Sequence, residues 1–489
     1  MKDFMKKNHF FTCSKICTLA LCSASALFLA SCAKDGYDDE SFDSGVSNVQ
    51  VENISADDIT ISSSADGKTQ TISCPVVMGA GGYRVNLIDV GNPDEPLIND
   101  SIVDGCSVTT KREEDVNYQL TILALGNNKK NNTDAAQTTV KTFSTFTPAK
   151  AIIPAGTDLC EYFEANPVEA VTSDNEAEEL VYDLEPGGSY SINSQLNFNF
   201  RKVILRTGDK NNHATVTFGE NGGFIASNDL SLNYLTIDAS ASKKPFIELY
   251  NYSEAPDGIL EKPGNYYLID FIRLQNSTIH GVVGNLIYDN NKSWCVVTLL
   301  INNVLMSLAT ETTSIKNESF ISFQGGGAKD FTISNSTIYQ TGEGNSKYFL
   351  RYNNSIRVDR LGYDNTVDHT TMTYTNNTFY KVASGNWANY SGIANYSTYT
   401  VKKNIWVECG DGAIARRIMG NGRLGNNSSA VWEYNTYWGA NGQIDQGNYD
   451  DGGLVLTDDP AFVDPANANF TPTGAGQVSN KTGDPRWLP

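Results

Sequence analysis

The sequence predicts an all-β protein of two modules, a β-sandwich followed by a solenoid of stacked β-coils. Three observations carry this. Residues 46–148 alternate apolar and polar side chains in short runs, such as 59–61, 83–87 and 118–124, broken by Gly, Asn and Asp; period-two alternation is the mark of half-buried strands. From residue 232 onward a six-residue pattern recurs as LNYLTI, LQNSTI, INNVLM, ISNSTI, YTNNTF, VKKNIW and WEYNTY, with successive copies 27 to 42 residues apart. Such a period with variable insertions belongs to coils that bury their apolar sides by stacking. Apolar residues at 40% and aromatics at 10% are too many for a disordered chain.

The elements follow in order along the 489 residues. Residues 1–31 carry Lys2, Lys6, Lys7 and Lys15 and then an uncharged apolar run over 16–30. That run is shorter than the roughly 20 residues a bilayer span needs, so it reads as a secretory signal peptide. Leu29-Ala30-Ser31-Cys32 resembles a bacterial lipobox, and the resemblance implies that Cys32 is lipidated and becomes the mature N-terminus. The acidic tether at 32–45 resembles the export signal of surface lipoproteins in Bacteroides-type bacteria, which implies the outer face of the outer membrane. The formal net charge is −20, and losing the leader makes it more negative. This excludes most nucleic-acid binders and a protein lying along anionic lipid, leaving the lipid anchor as the membrane contact.

Residues 46–148 are expected to form the sandwich. Tyr118-x-Leu120-x-Ile122-x-Ala124 resembles the late strand of a fibronectin type III domain, although the usual core tryptophan is missing from the early strands. Cys74 and Cys106 are either a disulfide or two buried thiols; with Cys160, Cys295 and Cys409 they show no CxxC spacing, so no thiol zinc site is implied. Residues 149–180 read as a linker and a short capping helix with Leu159, Tyr162 and Phe163 on one face.

Residues 181–450 hold the repeat, and 451–489 are expected to cap it. Asn276, Asn303, Asn335 and Asn376 take the third place of their copies. Asparagine tolerates the left-handed backbone of a sharp turn, and stacked amides hydrogen-bond between coils. This resembles the asparagine ladder of right-handed parallel β-helices of the pectate-lyase type, with departures at Tyr234, Lys403 and Tyr434. The layout as a whole, with 459–465 and 483–487 at its end, is similar to that of Bacteroidetes surface lipoproteins of polysaccharide-utilisation loci, a family largely of unknown function. That resemblance implies a polysaccharide or oligosaccharide ligand and a Sus-like outer-membrane transporter as partner.

Catalytic signals are sparse. A pectate-type lyase needs a carboxylate cluster for calcium and a base at C5 of the uronate. The base candidates are Arg351, Arg360 and Arg416, with Asp359, Asp364, Asp368, His369 and Arg417 nearby in sequence, but no tight acidic cluster accompanies them. If 413–417 are extended, Arg416 and Arg417 point to opposite faces. No cofactor motif is present; a calcium ion at Asp445, Asp450 and Asp451 is the one metal considered, although the spacing misses an EF-type loop. For glycan binding, flat rings stack on sugar faces. Trp387, Tyr390 and Tyr396 are the first candidates because Ser384-Gly385-Asn386 reads as an exposed loop; Trp294 and Trp438 follow, and Trp432 reads as core. The expected function is a surface glycan-binding lipoprotein for plant, above all pectic, polysaccharide. A lyase and a structural or adhesive surface protein are the alternatives.

Overall fold

A computed structural model describes residues 45–64, 69–113, 115–252, 266–352, 368–390, 396–420 and 427–489. The chain divides into two compact units, Met1–Phe146 and Thr147–Pro489.

In the first unit β1 (Thr60–Ser63), β2 (Thr69–Ser73) and β5 (Ser107–Lys111) form one antiparallel sheet. β3 (Ala80–Asp89), β4 (Ile98–Val103), β6 (Asn117–Gly126) and β7 (Thr139–Ser144) form the other, in the order β4-β3-β6-β7. β6 alternates without a break, so Tyr118, Leu120, Ile122 and Ala124 all point into the core beside Val85 and Leu87. Tyr118 supplies the aromatic bulk there: its ring stacks on Phe143 at 5.0 Å and its hydroxyl accepts the Glu113 N–H at 3.1 Å.

The second unit is a parallel β-helix. Strands one coil apart pair in parallel register, giving three faces. The first face begins with Ala151–Ile153, Glu179–Leu184 and Lys202–Thr207, the second with Ser189–Ile192 and Ala214–Phe218, and the third with Gln195–Asn197 and Gly223–Ala226. Two long strands, Tyr267–Val282 and Trp294–Leu308, pass from the first face to the second without interruption. The corner they turn is the third residue of the repeat. Tyr234, Asn276, Asn303, Asn335, Asn376, Lys403 and Tyr434 all lie at φ between 47 and 57°. Left-handed backbone costs a residue with a Cβ about 1–2 kcal/mol, and the stacked coils hold even Tyr and Lys in it.

Each repeat copy buries its first and sixth residues. The early coils fill the interior with Leu232, Ile237, Leu274 and Ile279, the late ones with Tyr374, Phe379, Trp406, Trp432 and Tyr437. Phe379, Trp406 and Tyr437 stack coil on coil at 5.5 and 5.2 Å, nearly parallel.

The expected amide ladder is present but split in two. In the middle coils Asn276 Nδ2 donates to Asn233 Oδ1 at 2.9 Å, Asn303 Nδ2 to Asn276 Oδ1 at 3.0 Å, and Asn335 Nδ2 to Asn302 Oδ1 at 3.0 Å. From the coil of Asn376 the ladder moves one residue on and turns inward. Asn377 Nδ2 donates to Asn404 Oδ1 at 2.9 Å, Asn404 Nδ2 to Asn435 Oδ1 at 3.0 Å, and Asn435 Nδ2 to Asp450 Oδ2 at 3.2 Å. All three asparagines are fully buried.

A helix, Leu159–Ala165, closes the start of the coil stack. Asp158 caps it by accepting the Cys160 and Glu161 N–H groups, and Leu159 and Phe163 are buried while Tyr162 packs at the edge. Of the residues expected to cap the far end, Val455 packs against the core and Gly452 lies against Trp432 O, and the rest run on along the coils. Leu456 and Gln477 sit at Thr436, Gly483 donates to Lys403 O, Asp484 bonds Thr378 and Thr337, and Arg486 Nη2 donates to Asn303 Oδ1. The C-terminal segment is therefore a strap that runs back along the second face.

Candidate functional site

The third face carries a row of Glu248, Tyr288, Ser322, Arg351 and Asn389, one residue per coil in parallel register; Ser322 is fully buried and the other four are partly exposed. Neighbouring strands lie about 4.8 Å apart, so the row is a line of evenly spaced polar groups along the helix axis.

Two fully buried residues build this surface from below. Asp289 Oδ2 accepts the Gly325 and Gly326 N–H groups of the next coil at 2.8 and 3.1 Å, and its Oδ1 accepts Asn291 N–H at 3.0 Å. Burial pushes the Asp289 carboxyl above its ordinary range, opposed by those backbone donors. Asn285 clamps the turn before Ser319–Phe323: its Oδ1 accepts Lys316 N–H at 2.9 Å, and its Nδ2 donates to the Lys316 and Ser319 carbonyls. The two anchors fix Asn291 and Asn317, both in left-handed conformation.

On that base runs a continuous polar network. Asn291 Nδ2 donates to the Tyr288 hydroxyl at 3.3 Å; Asn317 Nδ2 donates to Asn291 Oδ1 at 3.0 Å and to Ser322 Oγ at 3.1 Å. Arg351 Nη1 donates to Asn317 O at 2.9 Å, its guanidinium lies 3.8 Å from Glu318 and 5.5 Å from the Tyr348 ring, and Lys347 faces Glu318 at 3.4 Å. Burial raises the Tyr288 phenol, helped by Asp289 and Glu248. Amides, a phenol ring and a guanidinium in one surface, with the buried Ser322 hydroxyl holding Asn317 from beneath, suit a ligand rich in hydroxyl groups.

The sequence placed Arg351 among its candidates and the structure puts it in this network. Arg416 stands elsewhere. Residues Ile414–Ile418 are a helix rather than a strand, with Ile414, Ala415 and Ile418 buried; Arg416 lies 5.9 Å from the Tyr449 ring and Arg417 pairs with Asp411 at 3.6 Å. Arg360 and Cys32 lie outside the described residues, as do Asp359 and Asp364. Among the described residues no three His, Cys, Asp or Glu side chains gather as a metal site. Asp450, weighed for calcium, ends the buried ladder and accepts the Tyr437 hydroxyl at 2.9 Å.

The aromatic platform requires correction. Trp387 is fully buried and stacks on Phe349 at 4.4 Å. Ser384 and Gly385, which read as a free loop, donate to the Ser346 and Lys347 carbonyls of the preceding coil, so this is a stacked corner. Tyr390 is buried with its hydroxyl on Ile418 O, and Trp294 is buried with Nε1 donating to Tyr250 O at 2.8 Å. None of the three rings can meet a sugar. Tyr396 and Trp438 are partly exposed, but on different faces: Tyr396 precedes Ser397–Lys402 of the first, and Trp438 lies in Thr436–Gly439 of the second. Trp432 is core. Sequence reasoning missed Tyr288, Asn291, Asn317 and Ser322, which only coil register brings together.

Fold and surface define a two-unit all-β protein whose β-helix presents one polar row. Residues 5–187 are similar to DUF4992, 188–341 to DUF4957 and 331–487 to DUF5123, each a domain of unknown function. No curated protein matches the chain. A pectate lyase from Erwinia chrysanthemi, solved in complex with tetragalacturonic acid, matches 72% of this chain and 84% of its own at 10% identity and a TM-score of 0.12. A superposition that poor carries no argument about the site; the parallel register is what defines the β-helix.

Proposed function

We propose that this protein is a glycan-binding surface lipoprotein, anchored through Cys32, that captures plant polysaccharide for a Sus-like uptake system. The observation supporting the reading is the polar network from Tyr288 to Arg351. An extended polymer laid along the axis would meet Tyr288, Asn291, Asn317 and Arg351 in turn, with amide and guanidinium groups on its hydroxyls and the Tyr288 ring against a sugar face. Charges in and beside the row are balanced, Glu248 and the neighbouring Glu318 against Arg351 and the neighbouring Lys347, while the whole chain is strongly acidic. Uncharged pectic side chains such as arabinan or galactan avoid the repulsion a polyuronate would meet.

The test is native affinity electrophoresis of the purified protein through gels containing arabinan, galactan or polygalacturonate. Retardation by a neutral polymer, abolished in Tyr288→Ala together with Arg351→Ala, is the expected result. Equal mobility in every gel would end the proposal, and a cleared track in the stained gel would replace it with cleavage.

A further inference from the structure

The sandwich contains a cysteine pair that its own strand register aligns. β2 and β5 are antiparallel, and their last paired residues are Ser73 and Ser107. One step further stand Cys74 and Cys106, directly opposite each other. The ladder continues through them: Cys74 N–H donates to Cys106 O at 2.9 Å, and Cys74 Sγ lies 3.6 Å from that carbonyl. Residues opposed in an antiparallel pair have Cα atoms about 4.5–5.5 Å apart with side chains on the same face. That lies inside the roughly 4.4–6.8 Å range a disulfide bridges.

No other described cysteine competes. Cys160, Cys295 and Cys409 belong to the second unit; the last two are buried, and Cys160 Sγ donates to Ser194 O at 3.3 Å. Cys74 and Cys106 are both only half-buried, and a cavity of about 260 Å³ lined by Val76, Val77, Tyr83, Gly105 and Cys106 opens beside them. A small thiol reagent or the active site of an oxidoreductase can therefore reach the pair.

We infer that Cys74 and Cys106 are a redox modification site that closes into a cross-strand disulfide in an oxidising compartment. The two S–H bonds break and the Sγ–Sγ bond forms. Two protons and two electrons pass to a disulfide oxidant such as oxidised glutathione, which leaves as two thiols. Burial, then the neighbouring Cys106 thiol, push the Cys74 thiol up to about 11, so closure depends on such an exchange partner rather than on spontaneous ionisation. Between the two cysteines the chain crosses to the other sheet as β3 and β4 and returns, so the bond closes a loop that spans both sheets. Closing it restricts the unfolded chain and stabilises the sandwich.

The full chain, purified reduced, is equilibrated with excess oxidised glutathione, quenched with acid, denatured, alkylated and mapped by mass spectrometry. The expected result is a peptide cross-link joining Cys74 to Cys106, with Cys160, Cys295 and Cys409 still alkylated. The calorimetric transition of the sandwich should rise by about 5 °C or more. Cys74→Ser should lose the cross-link and the rise together. The peptide map of the unmodified chain decides the matter if that variant does not fold. Full alkylation of both cysteines after equilibration, or their pairing with other thiols, would overturn the inference.

Discussion

Replacing Asn404 with alanine should be among the most damaging single changes in the β-helix. Its Oδ1 accepts the Asn377 N–H at 3.2 Å and Asn377 Nδ2 at 2.9 Å; its Nδ2 donates to Tyr374 O at 2.8 Å, Lys402 O at 3.0 Å and Asn435 Oδ1 at 3.0 Å. Truncation strands two buried donors of Asn377, its N–H and one Nδ2 hydrogen, both of which rest on Asn404 Oδ1. Each buried group left unpaired costs about 1–3 kcal/mol, so a loss of about 3–5 kcal/mol is expected. All six tryptophans lie in the second unit, so their fluorescence during urea unfolding reports the β-helix without interference from the sandwich. Asn303→Ala is the control: its amide is on the exposed ladder, and the expected loss is about 1 kcal/mol. If Asn404→Ala unfolds at the same urea concentration as Asn303→Ala, the buried ladder does not hold the late coils together and the reasoning fails.

Other outcomes follow from the same geometry. Burial raises the folded carboxyls of Asp289, Asp450 and Asp484, so the native state holds protons that the unfolded chain has released. Stability is then greater on the acid side and is lost as pH rises through the folded values. His213, lowered by burial, acts in the opposite sense, so in a His213→Gln background lowering the pH from 7 toward 5 should move the urea midpoint of the tryptophan transition upward; a downward shift there would contradict the direction. Arg351→Met should weaken retardation by a neutral pectic polymer about tenfold while leaving that midpoint within about 0.5 kcal/mol, and an unchanged mobility would remove Arg351 from the binding surface. Trp387→Ala should cost about 3–5 kcal/mol in the same unfolding experiment. Provided the variant folds, its retardation should match that of the parent protein, since the ring never reaches solvent.

The repeat was legible because its demand is local. A left-handed corner needs a particular backbone, and the asparagines of the third position announced it; Tyr234, Lys403 and Tyr434, read as departures, turn the same corner. The inward ladder was also written there, in the fourth position, which reads Leu, Ser, Val, Ser, Asn, Asn, Asn down the seven copies, one column beyond the corner residues. Trp387 was misread because a stacked corner and a free loop use the same residues, and only hydrogen bonds to the coil beneath distinguish them. Of the polar row only Arg351 could be read, and not its neighbours. Asn291 and Asn317 are 26 residues apart, and nothing in either neighbourhood says that insertion lengths bring their amides into contact.

The returning tail changes how such a solenoid comes into being. A stack whose units touch only their neighbours can grow, and fray, one unit at a time. Here Arg486 reaches Asn303 across 183 residues of chain, and Trp487 reaches Thr337 across 150. A chain threaded outward with its N-terminus leading would have its middle coils formed and still unfastened until the final residues emerged. Loss of those few residues would then leave a protein that has all its coils and yet peels from its trailing end.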